Sequence, residues 1–280
     1  MRDLLHGNKD NGFRLIRLQK ANKRAHHPIH LISLFSVLTK VHYFWFMATT
    51  LYLIPNTLGS GEIHTVIPQG ILPVIHSLKV FFAENIRNAR RFLISTGIPT
   101  PVDDLLFLEL NRHSSDDELR EYLKIMLDGK DAGILSEAGM PAVADPGAGL
   151  VRMAHLSGIR VRPLCGPSSV ILALAASGLN GQKFAFHGYL PIHAGEREKT
   201  LRELERESEQ RGITQAFMET PYRNRALFDS VIRACRSDTL LCVACDLTLE
   251  SEWIRTMPVS EWKKNRPDIH KRPAIFLIFR

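Results

Sequence analysis

Four loops of this 280-residue sequence combine glycine or proline with small side chains, and each follows a run of residues typical of a strand. They lie at 55–59, 136–141, 165–169 and 219–222. Glycine lets the backbone approach a ligand closely, and proline fixes a loop without needing an amide partner. Such loops suit a flat, mostly neutral ligand held by main-chain groups, and they do not resemble a phosphate-binding loop.

A carboxylate and three arginines follow a further strand-like run. Glu84 comes directly after that run, and Arg87, Arg90 and Arg91 lie on the helix-like segment behind it. A carboxylate at the end of a parallel strand faces the side where ligands bind. We therefore predict Glu84 as a proton acceptor and Arg87 as a contact for an anionic substrate. A salt-bridged surface turn is the open alternative.

Other patterns predict structure rather than chemistry. Cys242 and Cys245 have Cys-x-x-Cys spacing, but they lie in a strand pattern that points their thiols to opposite faces, so we expect buried core cysteines and no metal. Asp145-Pro-Gly147 is typical of a loop that enters a helix, with a functional role left open as an equal alternative. The charged run 197–210 is typical of a helix with a solvated face. The sequence has no P-loop, Gly-x-Gly-x-x-Gly fingerprint or Gly-x-Ser-x-Gly elbow.

Alternating strand and helix patterns must position these loops. Strands are predicted over 50–54, 78–83, 105–110, 132–136, 159–164, 184–188, 215–219, 240–246, 252–257 and 274–279, and helices over 86–96, 115–127, 148–156, 168–176, 197–210 and 225–236. This alternation indicates an α/β fold with parallel pairing wherever a helix crosses over. In such a sheet, ligands bind at the carboxyl ends of the strands.

Charge separates the N-terminal segment from the body. Residues 1–46 carry a net charge of +6 out of the +7 of the whole chain, so the body is nearly neutral. We interpret residues 1–46 as an extension outside the fold. The rival interpretations are a basic tail that binds RNA and an anchor at a membrane surface. The body is predicted to divide at a Gly-Pro break into domains 47–165 and 166–280. Four cysteines and no secretory cleavage pattern predict a reducing, cytoplasmic location without a membrane span.

Six blocks in order resemble the tetrapyrrole methylase superfamily, the class III S-adenosylmethionine-dependent methyltransferases. Within it, the pattern is most similar to the branch of ribosomal RNA small-subunit 2′-O-methyltransferases. The blocks begin with Leu-Tyr-Leu-Ile-Pro55, Glu84-Asn-Ile-Arg, Ser136-Glu-Ala-Gly-Met-Pro, Pro163-Leu-Cys-Gly-Pro-Ser-Ser169, Phe184-Ala-Phe-His-Gly-Tyr and Glu219-Thr-Pro-Tyr.

The resemblance implies two α/β domains with S-adenosylmethionine bound in the cleft between them, and a homodimer. It implies methyl transfer to RNA, with methylation of a tetrapyrrole or other small molecule as an alternative acceptor class. A non-catalytic protein that only binds the cofactor is a second alternative, because Asn85 replaces an acidic residue of the RNA-acting branch. The implied cofactor residues are Leu58, Gly59, Ala138, Gly139, Met140, Val143, Ser168, Ser169, Glu219 and Leu247.

Overall fold

Two five-stranded sheets carry the fold in this computed structural model, which describes residues 49–59 and 62–280. Both sheets belong to one unit, Thr49–Arg280. The predicted extension 1–46 lies outside the described residues. The first sheet ends at Pro163 and the second begins at Phe184. The proposed division of the body at residues 165 and 166 stays a prediction.

The first sheet is entirely parallel, with the strand order β3-β2-β4-β1-β5. Its strands are β1 (Thr50–Ile54), β2 (Val80–Ala83), β3 (Leu106–Glu109), β4 (Ala132–Leu135) and β5 (Arg160–Pro163). Parallel neighbours need long crossover connections, and helices supply them here. The helices of this half are α1 (Ile63–Val66), α2 (Leu72–Ser77), α3 (Ile86–Ser95), α4 (Asp116–Leu127) and α5 (Ala148–Leu156).

The second sheet is mixed, with the order β6-β7-β10-β8-β9, in which β6 and β7 are parallel and the other pairs antiparallel. Its strands are β6 (Phe184–Tyr189), β7 (Thr214–Met218), β8 (Leu240–Cys245), β9 (Trp253–Pro258) and β10 (Ala274–Phe279). The helices are α6 (Ser169–Ser177), α7 (Ala194–Arg211), α8 (Asn224–Ala234) and α9 (Val259–Trp262). The predicted α/β class with parallel and mixed sheets is confirmed.

The inner strands of each sheet are buried on both faces, as expected for strands covered by helices. Along β2, Phe81 packs into one apolar cluster and Phe82 into another on the opposite face. Along β10, Phe276 and Ile275 divide in the same way. This packing fixes the registers of the strands, and therefore the positions of the loops at their carboxyl ends.

Local signals in the sequence set several helix ends. Ser115 accepts a hydrogen bond from the Glu118 N–H at 3.3 Å, and the Ser115 N–H donates to Glu118 Oε2 at 2.7 Å. This capping box satisfies two backbone donors at the start of α4. Gly178 closes α6 with φ +70°. The predicted start of α4 and end of α6 therefore have clear physical causes.

Candidate active site

A cavity of about 250 Å³ is lined by loops from both sheets. All the residues predicted to contact the cofactor line it except Gly59. They are Leu58, Ala138, Gly139, Met140, Val143, Ser168, Ser169, Glu219 and Leu247. Five separate loops therefore meet around one hollow, and four of them are the loops of small residues noted in the sequence. Their roles toward a ligand stay predictions.

The loops after β1 and β4 are joined by main-chain hydrogen bonds. The Asn56 N–H donates to the Gly139 carbonyl at 2.9 Å, and the Gly139 N–H donates back at 3.2 Å. The buried Asn56 side chain donates from Nδ2 to the carbonyls of Ser136 and Glu137 at 3.0 and 3.1 Å. β1 and β4 are neighbours in the sheet, so their loops start side by side, and Asn56 then fixes the cavity wall that they form.

Two glycines allow the loops to approach each other closely. Gly139 has φ +67°, and a Cβ atom there would lie 3.2 Å from Leu58 Cδ2. At Gly166, in the loop after β5, a side chain would overlap the ring of Pro55. Both positions therefore require a residue without a Cβ atom, for conformational freedom at Gly139 and for space at Gly166.

The segment after Gly139 holds two alanines in left-handed backbone conformations. Ala142 has φ 65° and Ala144 has φ 63°. Such conformations are unfavourable for residues other than glycine and persist where the surroundings impose them. Val143 and Asp145 alternate with these alanines, and both line the cavity.

The N-terminus of α6 contributes Ser168 and Ser169. Ser168 occupies the N-cap position, but its hydroxyl makes no capping hydrogen bond. The first N–H groups of a helix lack partners within the helix and carry a partial positive charge. This part of the cavity therefore offers a free hydroxyl and backbone donors.

Glu219 is a buried carboxylate after β7, with its side chain only 2% exposed. Its Oε1 accepts hydrogen bonds from Arg223 Nη2 at 2.6 Å and from the Thr220 N–H at 2.7 Å. Burial alone raises the pKa of this carboxyl, but the hydrogen bonds from Arg223 and Thr220, together with the charge of Arg223, outweigh burial and lower it. Glu219 is therefore an ionised group in a fixed orientation.

Leu247 reaches the cavity from the loop after β8. The preceding Asp246 has φ 51°, and its Oδ2 accepts hydrogen bonds from Arg272 Nε and from the Ser251 hydroxyl, both at 2.8 Å. Arg272 also donates to the carbonyl of Ser251 at 2.7 Å. This ion pair holds the unusual backbone of the loop and thereby the position of Leu247.

Three carboxylates lie near the ends of β2 and β4. The pKa of Asp145 is raised to about 6, first by burial and then by the negative charges of Glu84 and Glu137, against a hydrogen bond from Ser136. The pKa of Glu84 is also raised, mainly by burial and next by Glu137. These neighbours therefore hinder each other's ionisation.

Comparison with known proteins decides the family. Over 215 residues the chain is 30% identical to ribosomal RNA small subunit methyltransferase I of Vibrio cholerae, covering 76% of this chain and 70% of that protein. It is 30% identical over 212 residues to the protein of the same name from Streptococcus pyogenes, covering 76% and 69%. The chain belongs to the ribosomal RNA small subunit methyltransferase I family. The predicted resemblance and the assignment as a methyltransferase are thereby confirmed. No protein-family model matches the chain.

Solved structures show the same fold outside this family. The crystal structure of the methyltransferase CobJ has a TM-score of 0.55 and 16% identity, covering 83% of this chain and 93% of that one. The cobalt precorrin-4 methyltransferase CbiF has a TM-score of 0.54 and 18% identity, covering 82% and 94%. At these identities the likeness concerns the fold alone.

Three residues that the sequence predicted for the active site do not line the cavity. Glu84 is half-buried at the end of β2, where its N–H donates to the Leu135 carbonyl at 3.1 Å. Arg87 is exposed on α3. Gly59 lines a neighbouring open hollow of about 750 Å³, which shares Leu58 and Ala138 with the cavity. The cavity and the hollow are therefore adjacent.

Sequence reasoning missed Asp145 and Tyr189, which also line the cavity. Gly147 is the N-cap of α5, so the predicted helix-entry loop is present. Asp145 in this loop also lines the cavity. Burial and then the charges of Asp145, Glu219 and Glu84 raise the pKa of Tyr189, while Arg112 lowers it. Tyr189 had a signal in the sequence, its position at a strand end, whereas Asp145 lies well beyond β4 in the loop that enters α5.

The Cys-x-x-Cys pair has the structural position that its strand pattern predicts. Cys242 and Cys245 are fully buried on β8, and they pack into apolar clusters on opposite faces of the sheet. Burial raises the pKa of both thiols, to about 11 for Cys245. Both cysteines are therefore unreactive parts of the core.

Among the described residues there is neither a metal-binding cluster nor a membrane-spanning helix. Within residues 49–59 and 62–280, no three His, Cys, Asp or Glu side chains are grouped so that they could hold a metal ion. Over the same part of the chain, every helix is too short or too polar to traverse a bilayer.

Proposed function

We propose that this chain methylates the ribose 2′-hydroxyl of small-subunit ribosomal RNA, with S-adenosylmethionine bound in the cavity. The observation that carries the proposal is the convergence of Leu58, Gly139, Ser168, Glu219 and Leu247, from five separate loops, on one hollow in a member of this family. The relatives named above are ribosomal RNA methyltransferases by name, which favours RNA as the acceptor.

The chemistry of the cavity residues fits S-adenosylmethionine. Leu58, Met140 and Phe186 are apolar and suit a flat purine ring, and Ser168 stands at a helix N-terminus that suits a carboxylate. The ionised carboxylate of Glu219 suits the positive charge of an ammonium group. Bound there, S-adenosylmethionine supplies an activated methyl group on sulfur.

The protein's part in the transfer is mainly to orient the two reactants. The Asn56 bonds to the loop after β4 and the Arg272 contacts of the loop after β8 hold the walls of the cavity in place before a ligand arrives. Alignment of reacting groups removes much of the entropic barrier to a displacement reaction. An acceptor hydroxyl also needs a proton acceptor, for which Glu84 and Asp145 are the candidates.

The open hollow beside the cavity suits the acceptor RNA. Arg91 and Asn88 line it from α3, and Arg87 is exposed on the same helix. We propose that Arg87 and Arg91 contact phosphates, since such contacts position a nucleic acid without reading its sequence. Arg90 is engaged otherwise, because it donates to Asp103 at 2.8 Å and lies over the Phe107 ring.

Asn85 has a structural role that reconciles the proposal with the missing acid at this position. Its Oδ1 accepts a hydrogen bond from the Asn88 N–H at 3.1 Å and so caps α3. Asparagine and aspartate are about equally good at N-caps. Asparagine at this position therefore preserves the start of α3. It gives no support to the alternative that the protein binds the cofactor without transferring a methyl group.

The test is transfer of tritiated methyl from S-adenosylmethionine to purified small-subunit ribosomal RNA. We expect label in the RNA, recovered after alkaline hydrolysis as a ribose-methylated dinucleotide, because a 2′-O-methyl group blocks cleavage of the next phosphodiester. Arg87→Gln is expected to weaken RNA binding and to flatten its salt dependence, with the affinity for S-adenosylhomocysteine kept. Label found only in a small-molecule fraction of a cell extract would contradict the proposal.

We further propose a homodimer in the cytoplasm. α6 buries Val170, Ala173 and Leu174 but leaves Ile171 and Leu172 exposed by 51% and 37%, which gives one helix a second apolar face. Sedimentation equilibrium is expected to show a dimer that Ile171→Glu converts to a monomer. Ile94→Glu, at a 60% exposed position on α3, is the control and should leave the dimer intact. All four cysteines are free, which suits a reducing compartment.

A further inference from the structure

We propose that Asp145, rather than Glu84, accepts the proton of the hydroxyl that is methylated. This assignment rests on the proposed function and names a catalytic residue for it. Asp145 and Glu219 are the two carboxylates among the described residues that line the cavity, and Glu84 does not line it.

Glu219 is unsuited to the role because hydrogen bonds and the charge of Arg223 lower its pKa. Arg223 and the Thr220 N–H both donate to it, and they stabilise its ionised form. A carboxylate held in this way is a weak base. Asp145, by contrast, has no salt bridge to any residue in 49–59 or 62–280.

The backbone around Asp145 supports a precise placement of its side chain. Ala142 and Ala144 both have positive φ, and Gly147 follows with φ 123° as the N-cap of α5. The segment with these conformations contributes Val143, Ala144 and Asp145 to the wall of the cavity. Backbone strain of this kind is concentrated at functional sites.

The charges that face Asp145 come from several elements. Glu84 follows β2 and Glu137 follows β4, while Tyr189, at the end of β6, has a pKa that responds to Asp145 and to Glu219 after β7. Arg112, after β3, is the cation that acts on Glu84 and Tyr189. Burial, Glu84 and Glu137 together raise the pKa of Asp145 to about 6. At neutral pH the side chain is therefore ionised and still a stronger base than an ordinary aspartate.

Methyl transfer with Asp145 as the proton acceptor needs no further reactant. Asp145 accepts the hydroxyl proton on a carboxylate oxygen as the acceptor oxygen bonds to the methyl carbon and the carbon–sulfur bond breaks, leaving its electron pair on sulfur. Asp145 then releases the proton to water. Glu84 acts through Asp145 as a positioning residue, because its negative charge keeps the base strength of Asp145 high.

The test compares Asp145→Asn with Glu84→Gln in single-turnover methyl transfer between pH 5 and 9. General-base catalysis contributes about 10²–10⁴-fold, so Asp145→Asn is expected to slow transfer by at least about 100-fold. Its Kd for S-adenosylhomocysteine, from calorimetry, should stay within a few-fold of wild type. Glu84→Gln should slow transfer far less than Asp145→Asn, because it only weakens the base. The acid limb of its pH profile should move to lower pH, because a charge that raises the pKa of Asp145 is gone.

A second readout does not depend on turnover. Carboxyl ¹³C NMR of the protein with S-adenosylhomocysteine should show a resonance that titrates near pH 6, disappears in Asp145→Asn and moves to lower pH in Glu84→Gln. The proposal is overturned if Glu84→Gln abolishes transfer while Asp145→Asn only shifts the profile, or if Asp145 titrates at the ordinary aspartate value of about 4. A wild-type chain that binds S-adenosylhomocysteine but labels no RNA overturns the proposed function itself, and with it this role.

Discussion

Arg223 donates a hydrogen bond from Nη2 to Oε1 of Glu219 at 2.6 Å, across the turn that follows β7. Arg223→Gln removes this partner, so the pKa of the buried Glu219 carboxyl should rise. A carboxyl with a lowered pKa stabilises the fold above its unfolded pKa, and this stability is lost as the pH falls through its folded pKa. We therefore expect the variant to lower the melting temperature by roughly 2–4 °C at pH 7, with a smaller difference at pH 3.

The matched control for Arg223 is Arg225 on α8. Arg225 Nη2 pairs with Asp268 at 3.2 Å, with side chains 62% and 80% exposed. Exposed pairs of this kind contribute little to stability. Arg225→Gln should therefore leave thermal melting unchanged by calorimetry. Equal losses in the two variants would contradict a special role for the Glu219 pair.

Ser168→Ala tests the free hydroxyl at the start of α6. An N-cap serine usually contributes about 1 kcal/mol to stability, but Ser168 makes no capping bond, so denaturant unfolding should be almost unchanged. If the hydroxyl binds the cofactor, its loss should weaken S-adenosylhomocysteine binding by about 3- to 10-fold, the equivalent of one hydrogen bond.

Ser115 on α4 provides the opposite case. Its side chain completes a capping box far along the sequence from the cavity loops. Ser115→Ala should lose about 1 kcal/mol of unfolding free energy and keep its affinity for S-adenosylhomocysteine. A Ser168→Ala variant that loses stability but no affinity would show that Ser168 acts only as a cap.

Gly139→Ala should damage both stability and binding. The left-handed conformation costs a residue with a Cβ atom about 1–2 kcal/mol, and the new methyl would press on Leu58 at 3.2 Å. Gly97→Ala is the control, because Gly97 has φ +74° and no atom within 4 Å of the built Cβ. It should lose similar stability in urea and retain ligand affinity. If both variants bind equally well, the backbone at Gly139 has no role in shaping the cavity.

Asp145→Asn should stabilise the protein at neutral pH. The folded pKa of about 6 exceeds the ordinary 3.8, so ionisation of Asp145 costs folding free energy above pH 6, and this cost disappears below pH 3.8. Because the side chain keeps partial contact with solvent, which screens the charge, we expect a gain of about 1 kcal/mol at pH 7.5. The gain should vanish near pH 4. Asp268→Asn, at an 80% exposed side chain, should change little at either pH.

Sequence patterns predicted most of the sheet framework. Both the first strand, 50–54, and the last, 274–279, have the observed bounds of β1 and β10. These runs are apolar or β-branched and are bounded by loop residues, so local information was sufficient. The short helices α1, α2 and α9 were missed because four to six residues give too little periodicity.

The charged helix shows where local pattern fails. The run 197–210 predicted a solvated face, and α7 is present, but Arg197 and Glu205 are buried. Arg197 donates from Nε to the Ser230 hydroxyl at 3.0 Å and from Nη1 to the Ile192 carbonyl at 2.6 Å. The partners are up to 33 residues away, so their alignment depends on how α7 packs against α8.

The candidate site was predictable as loops but not as chemistry. Leu58 was predicted together with Gly59, but the chain bends at these two residues, and only Leu58 lines the cavity. The pKa of Asp145 is raised first by burial and next by Glu84, which is distant in sequence and comes near because β2 and β4 are adjacent. The order of strands in the sheet was not available from the sequence alone.

The close approach of Gly166 to Pro55 has a consequence for redesign. The chain passes from the first sheet to α6 at this point, and there is no room for it to retreat toward β1. A larger residue at position 166 would push its loop away from Pro55 and so change the distance between the cavity walls. To accommodate a bulkier sulfonium analogue, side chains that line the cavity, such as Met140 or Val143, must therefore be replaced by smaller ones. The crossover itself cannot move to enlarge the cavity.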